Sequence, residues 1–190
     1  MHLDLRVDLK TGDLVRQTAI MTIEETLGWK GIILGIGRCD LWRFEGEGER
    51  FREEIEREVA RTSVFVNTTK HNARFEDEGD RDFGQELTAT EALEPARVSG
   101  VRRWRARLWI TEEGGERESL RRRVQARLET SRLKSLKGGV LWEIELRAAA
   151  ADQARGAVTG LAISRSRESG LLLNPHFQEG RLLSLEEVSA

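Results

Sequence analysis

The chain has 190 residues, of which 38% are hydrophobic and 34% are charged, and its 31 Lys and Arg residues nearly balance 33 Asp and Glu residues. The net charge of -2 excludes a global attraction to nucleic acid or to an anionic membrane, and the single cysteine, Cys39, excludes an internal disulfide. No run approaches the roughly 18 apolar residues that a membrane span needs, and the first residues lack a signal-peptide pattern, so we expect a cytoplasmic protein.

The chain begins with a predicted strand and a predicted helix. Residues 3–9 alternate apolar and polar side chains, as in a half-buried strand. Asp13 is a candidate N-cap, and Ile20, Ile23 and Leu27 then recur at helical spacing. The pattern predicts an amphipathic helix with one face for a sheet.

The next stretch, IILGIGRCDLWRFEG, is predicted to be two strands joined by a turn at Gly35 and Gly37. A second amphipathic helix follows in ERFREEIEREVA, and residues 64–75 are predicted to be extended. The predicted order of elements in the first half, residues 1–76, is therefore β-α-β-β-α-β.

The second half repeats this order over residues 101–190. Trp104 to Ile110 alternates as a strand, Leu120, Val124 and Leu128 form a helical stripe, and RLKSLKGGVLWEIEL predicts a hairpin at Gly138 and Gly139. A further helix follows in ADQARGAVTGLAISRSR, and an extended segment covers residues 174–185. The pairs Leu41-Trp42 and Leu141-Trp142 align the two halves. We therefore predict an α+β chain of two tandem ferredoxin-like units.

Residues 77–100 separate the halves. This segment is acidic at its start and poor in large apolar residues, so it is predicted to be a linker that buries little surface. Two three- or four-stranded sheets with helices on one side each leave a face or an edge to be covered. We therefore expect the halves to pack together as a pseudo-dimer within one chain.

No group of residues predicts catalysis. His2, His71 and His176 have no partner at metal-ligand spacing, and the glycines of GWKGIILGIG lack the ending of a phosphate-binding loop. We expect no catalytic, cofactor-binding or metal-ligating residues.

The stretch LLLNPHFQEG has a distinctive ending. Pro175 disfavours helical geometry at Asn174, so a helix through residues 171–173 is predicted to stop there and to give way to a strand. The first half keeps Asn67 in VFVNTTKHNARF but lacks the proline, so we expect a different corner in that half.

These patterns resemble the PurS family, the small subunit of phosphoribosylformylglycinamidine synthase. Leu172, Asn174, Pro175 and Phe177 fall on the family's helix-ending pattern, whereas Leu173 replaces an alanine, Gln178 and Glu179 stand at its acidic pair, and Gly180 stands at its tyrosine. GGVLWEIEL is similar to its Gly-Lys strand, and LGWKGIILGIGRCDLWRFEG is similar to the same region in the first half.

The resemblance implies an accessory subunit of an ATP-dependent glutamine amidotransferase. Such a subunit has no catalytic site, needs no cofactor, and bridges the synthetase and glutaminase subunits in purine biosynthesis. Family members are single copies of about half this length that pair as dimers, so this chain would be a fused pair, with further homo-oligomers left open. The residues expected at the partner or inter-repeat interface are Trp42, Trp142, Asn67, Asn174, Pro175, Phe177 and Glu179.

Two alternatives stay open. The Arg- and Trp-rich stretches VRRWRARLW and RESLRRRVQARLETSRLKSLKGG are typical of an electrostatic surface for nucleic acid. The aromatic pattern that stacks RNA bases is missing, which argues against nucleic acid as a partner. The other alternative is that the chain is a small-molecule sensor built from paired ferredoxin-like units, with a ligand site between the repeats.

Overall fold

The computed structural model describes residues 1–76, 84–112, 133–166 and 169–188, and the single positions 119, 122 and 126. Within these residues the chain is an α+β protein, as predicted. The strands are β1 (His2–Leu9), β2 (Ile33–Gly46), β3 (His71–Glu76), β4 (Gln85–Glu86), β5 (Arg102–Glu112), β6 (Leu133–Ala148) and β7 (Gln178–Val188). The helices are α1 (Leu14–Glu25), α2 (Phe51–Arg61) and α3 (Ala151–Ala162), with short 3-10 turns at Ala89–Glu91 and Pro95–Arg97.

The seven strands form one sheet in the order β3-β1-β2-β6-β5-β7-β4. β1 lies antiparallel to both β2 and β3, and β4 lies antiparallel to β7. The first half contributes its strands in the order β3-β1-β2, and the second half contributes the equivalent strands in reverse, as β6-β5-β7. Apart from β4, the order therefore reads alike from both ends of the sheet.

The chain divides into two compact units that do not coincide with the two halves of the sequence. Unit 1 comprises Met1–Gly12, Cys39–Asp82 and Thr111–Val140, and unit 2 comprises Asp13–Arg38, Phe83–Ile110 and Leu141–Ala190. Each unit thus contains segments from both halves. The division into repeats at residues 1–76 and 101–190 concerns the sequence, and it stays a prediction.

The core of unit 1 follows from two periodicities. Alternate residues of β1 point to one face of the sheet, and every fourth residue of α2 points back toward that face. Leu136 of β6 is also fully buried in this core. The buried cluster contains Leu3, Leu5, Val7, Trp42, Phe44, Phe51, Ile55, Val59, Phe65 and Leu136.

The predicted strand and helices of unit 2 are also present. The alternation of β5 buries Trp104, Ala106, Leu108 and Ile110, and the indole Nε1 of Trp104 donates a hydrogen bond of 3.3 Å to the carbonyl of Ala148. Helix α3 buries Ala154, Ala157, Val158 and Leu161. Leu120, Val124 and Leu128, which mark another predicted helix, lie outside the described residues.

The two predicted hairpins are wrong. β2 runs without a turn through Gly35 and Gly37, and β6 runs without a turn through Gly138 and Gly139. Gly138 serves a close contact instead, because a Cβ atom there would lie 2.5 Å from the ring of Trp42. Each half therefore has one long strand where two were expected.

The helix predicted through residues 171–173 is also wrong, because α3 ends at Ala162. The amide of Leu171 donates to the carbonyl of Leu161, and the amides of Leu172 and Leu173 donate to the carbonyl of Ala162. These bonds satisfy carbonyls that the end of a helix leaves without partners. The extended segment therefore caps the helix that it was expected to continue.

Residues 84–100, which lie in the predicted linker, make several contacts within unit 2. Leu87 and Val98 are buried, β4 pairs with β7, and the amide of Leu93 donates to the carbonyl of Gly156. A Cβ atom on Gly160 would lie 1.9 Å from the carbonyl oxygen of Leu93. Glycines of α3 thus allow a segment with few apolar residues to approach the helix closely.

Candidate functional site

The first corner precedes β3 and is organised by Asn67. Its side-chain oxygen accepts a hydrogen bond from the backbone amide of Thr69 at 3.0 Å, and its own backbone amide donates to Nδ1 of His71 at 3.2 Å. Its carbonyl accepts from the amides of Lys70 at 2.9 Å and His71 at 2.8 Å. Asn67 therefore fixes the turn and the start of the strand.

The second corner precedes β7 and has the same four bonds around Asn174. The side-chain oxygen of Asn174 accepts a hydrogen bond from the backbone amide of His176. The backbone amide of Asn174 donates to the side-chain oxygen of Gln178. Its carbonyl accepts from the amides of Phe177 and Gln178. The expectation of a different corner in the first half is wrong, because the asparagine sets the geometry with or without the proline.

The predicted interface residues lie in two kinds of environment. Trp42 and Trp142 are buried, and the first belongs to unit 1 and the second to unit 2. The corner residues are exposed, including Phe177, whose side chain is 71% exposed. Pro175 and Glu179 are likewise exposed. Their assignment to an interface stays a prediction.

An apolar groove of about 460 Å³ lies within unit 2. One wall is the outer face of α1, and the other residues come from β6 and from the extended segment before the second corner. The eight lining residues carry no charge. They are Leu14, Val15, Thr18, Ala19, Thr22, Trp142, Leu171 and Leu172.

The hydroxyl groups in the groove are already paired. Thr18 donates to the carbonyl of Leu14 at 2.9 Å, and Thr22 donates to the carbonyl of Thr18 at 3.0 Å. Because these donors are bound to the helix, the groove offers mainly apolar surface to a ligand. Pockets of 300–1,000 Å³, a range that includes this groove, are typical of small-molecule sites.

Arg38 lies next to Trp142 and forms an ion pair with Asp13. The guanidinium carbon of Arg38 lies 5.9 Å from the centre of the Trp142 ring, and its Nη1 is 2.9 Å from the Asp13 carboxylate. Burial would raise the pKa of the Asp13 carboxyl, but hydrogen bonds from the amides of Arg16 and Val15, and the guanidinium of Arg38, hold that pKa below its ordinary value. The positive charge of Arg38 and the negative charge of Asp13 therefore form an ion pair.

Arginines of β5 have acidic neighbours, which bears on the nucleic-acid alternative. Nη2 of Arg105 lies 2.7 Å from Glu145, and this carboxylate raises the pKa of Arg105. Arg107 lies 4.0 Å from Glu143. Paired cations attract phosphate less strongly than free ones, so the strand is a weaker candidate for nucleic-acid binding than its composition indicates.

The groove residues on α1 were missed in the sequence. The sequence predicts the apolar stripe of this helix at Ile20, Ile23 and Leu27, whereas Leu14 and Val15 lie off that stripe and are exposed. The sequence signal for the groove was the presence of apolar residues outside the core-facing stripe of this amphipathic helix.

Among the residues that the structure describes, no helix is both long and apolar enough to cross a membrane. Within the same residues, no three His, Cys, Asp or Glu side chains form a group that could hold a metal ion. Comparisons of this chain with protein-family models, with curated proteins and with solved structures gave no match.

Proposed function

We propose that this chain is a PurS-like scaffold subunit that joins the synthetase and glutaminase subunits of phosphoribosylformylglycinamidine synthase. In this proposal, two ferredoxin-like repeats form a pseudo-dimer, each with one long strand in place of two consecutive strands. The scaffold holds the partner subunits and performs no chemical step.

The repeated corner is the main support for this proposal. Asn67 and Asn174 make the same four hydrogen bonds, and each corner leads into a strand of the same sheet. The pattern LLLNPHFQEG, which carries the resemblance to the PurS family, forms the second corner. The reversed strand order of the two halves also supports a duplication.

Exposed side chains give the corner the properties of a docking surface. Phe177 is 71% exposed, and its ring lies 6.3 Å from that of His176. Aromatic residues, phenylalanine among them, are enriched in protein interfaces relative to the rest of the surface. A docking role would explain why the corner carries a solvent-exposed phenyl ring.

The test is reconstitution with purified synthetase and glutaminase subunits. We expect the intact chain to co-elute with both subunits and to raise glutamine-dependent activity. Phe177→Ala should weaken the complex by about tenfold or more if the ring is an interface hot spot. Val101→Ala changes another highly exposed apolar residue away from the corner and should leave the complex unchanged.

Glutamine-dependent activity that is the same with and without this chain would contradict the proposal. Equal losses for Phe177→Ala and Val101→Ala would contradict the docking role of the corner.

A further inference from the structure

The two repeats differ at one aromatic position beside their shared tryptophans. Phe65 stands two residues before Asn67, and Leu172 stands two residues before Asn174. Because the two asparagines make the same hydrogen bonds, Phe65 and Leu172 hold the same place in the sequence relative to the two corners. The second repeat thus has an aliphatic side chain where the first has an aromatic one.

In unit 1 the phenyl ring of Phe65 packs against Trp42. The ring centres are 5.2 Å apart and the planes are nearly perpendicular, at 83°. Phe65 also contacts Phe44, with ring centres 5.4 Å apart, and it is buried. The phenyl ring therefore fills space beside the indole.

In unit 2 the equivalent tryptophan, Trp142, borders the groove together with Leu172. Leu172 is only partly buried, whereas Phe65 is almost fully buried. Trp142 thus borders open space in the groove, whereas Trp42 has a phenyl ring beside it.

The polarity of the lining restricts what can enter. Thr18 and Thr22 donate their hydroxyl protons to the helix backbone, and the nearby Arg38 is paired with Asp13. A charged ligand would lose its hydration in the groove without gaining a free partner of opposite charge. An uncharged ligand loses much less.

We propose that the groove binds a small uncharged aromatic molecule, whose ring packs beside Trp142 as the ring of Phe65 packs beside Trp42. This site is independent of the proposed scaffold function.

Toluene is a suitable probe, and methylcyclohexane is its aliphatic control of similar size. Each is titrated into the intact 15N-labelled chain while the indole signal of Trp142 and the amide signals of α1 are followed by NMR. We expect saturable shifts that are confined to the groove. Because aromatic pairs gain energy beyond their buried area, toluene should bind about two- to tenfold more tightly than methylcyclohexane.

Two exchanges between the repeats test the assignment directly. Leu172→Phe places a phenyl ring in the groove and should weaken toluene binding at least tenfold, whereas Val101→Phe adds the same ring at an exposed position outside the groove and should not. Phe65→Leu removes the ring beside Trp42 and should create a second toluene site, with new shifts at the Trp42 indole.

Several results would overturn the proposal. They are the absence of saturable toluene shifts in the wild-type chain, equal affinity for methylcyclohexane, and unchanged toluene binding in a folded Leu172→Phe variant. Light scattering that shows a dimer in the wild type and a monomer in Leu172→Phe would assign the groove to a second copy of the chain instead. If Leu172→Phe does not fold, the wild-type shift map and the second site in Phe65→Leu still decide the question.

Discussion

The carboxylate of Asp13 both caps helix α1 and pairs with Arg38. One oxygen accepts hydrogen bonds from the amides of Val15 and Arg16, at 2.9 and 3.1 Å, and the other accepts from Arg38 at 2.9 Å. The first pair of bonds satisfies amides that the start of α1 leaves without partners. The third bond holds the guanidinium near Trp142.

We predict that Asp13→Ala lowers the free energy of unfolding by about 1 kcal/mol or more, because it removes the cap and leaves Arg38 without its carboxylate. Asp13→Asn keeps an oxygen for the cap and loses only the charge, so its loss should be smaller. Urea denaturation at neutral pH measures both variants.

The pH dependence of Asp13 has a definite sign. Its pKa in the folded chain lies below the ordinary value of 3.8, so the charge stabilises the fold above that pH. This contribution disappears as the pH falls through 3.8 toward the folded-state pKa. The difference between wild type and Asp13→Asn should therefore shrink below about pH 4, and a constant difference from pH 7 to pH 3 would contradict this account.

A buried ion pair fixes the alignment of two strands. Asp4 of β1 and Arg43 of β2 lie directly opposite each other, with hydrogen bonds of 2.8 and 2.6 Å between their side chains. Both side chains are almost completely buried. Because a slip by one residue would leave each charge buried without this partner, the pair selects one register, even though buried ion pairs often add little net stability.

At the scale of elements, the glycines of the two long strands have different roles. Gly138 in β6 faces the Trp42 ring, whereas a Cβ atom on Gly35 in β2 would have no heavy atom within 4 Å among those described. Neither glycine has a positive φ angle. Replacing either glycine by alanine therefore tests the distance to neighbouring atoms without adding backbone strain.

We predict that Gly138→Ala destabilises the chain by about 1 to 3 kcal/mol, because the new methyl group overlaps the indole of Trp42. The matched control, Gly35→Ala, should be neutral or stabilise by about 0.5 to 1 kcal/mol, because alanine is less flexible than glycine in the unfolded chain. Thermal and urea denaturation distinguish the two. A loss for Gly35→Ala as large as that for Gly138→Ala would contradict the assigned contact.

These elements also show what the sequence can predict. β1, β5 and α2 carry apolar residues at the regular spacing of a strand or a helix, so this periodicity alone is enough to locate them. Gly138 was mistaken for a turn residue because its role depends on Trp42, which is distant in the sequence. The groove is a related case, because its walls come from α1, β6 and the extended segment before the second corner, which are distant from one another in the sequence.

At the scale of the whole molecule, the two corners make the duplication testable. Thr68 follows Asn67 as Pro175 follows Asn174. Among the hydrogen bonds of the described corner residues, none uses the amide of Thr68 as a donor, whereas the amide of Thr69 donates to Asn67. The first corner therefore has the bonding pattern that accepts proline at residue 68.

We predict that Thr68→Pro stabilises the chain by about 0.4 to 1 kcal/mol, because proline restricts the unfolded chain and costs no corner hydrogen bond. Thr69→Pro is the matched control and should destabilise the chain by about 1 kcal/mol or more, because it removes the donor to the Asn67 side chain. Melting temperatures measure both. If Thr68→Pro is as harmful as Thr69→Pro, the two corners are not equivalent.

The division into compact units has a consequence for synthesis on the ribosome. Unit 1 contains Met1–Gly12 but also Thr111–Val140, and its core includes Leu136. When β1 and α2 have left the exit tunnel, the segment that supplies Leu136 has not yet been translated. Completion of either unit must therefore wait until the nascent chain has extended well into its second half.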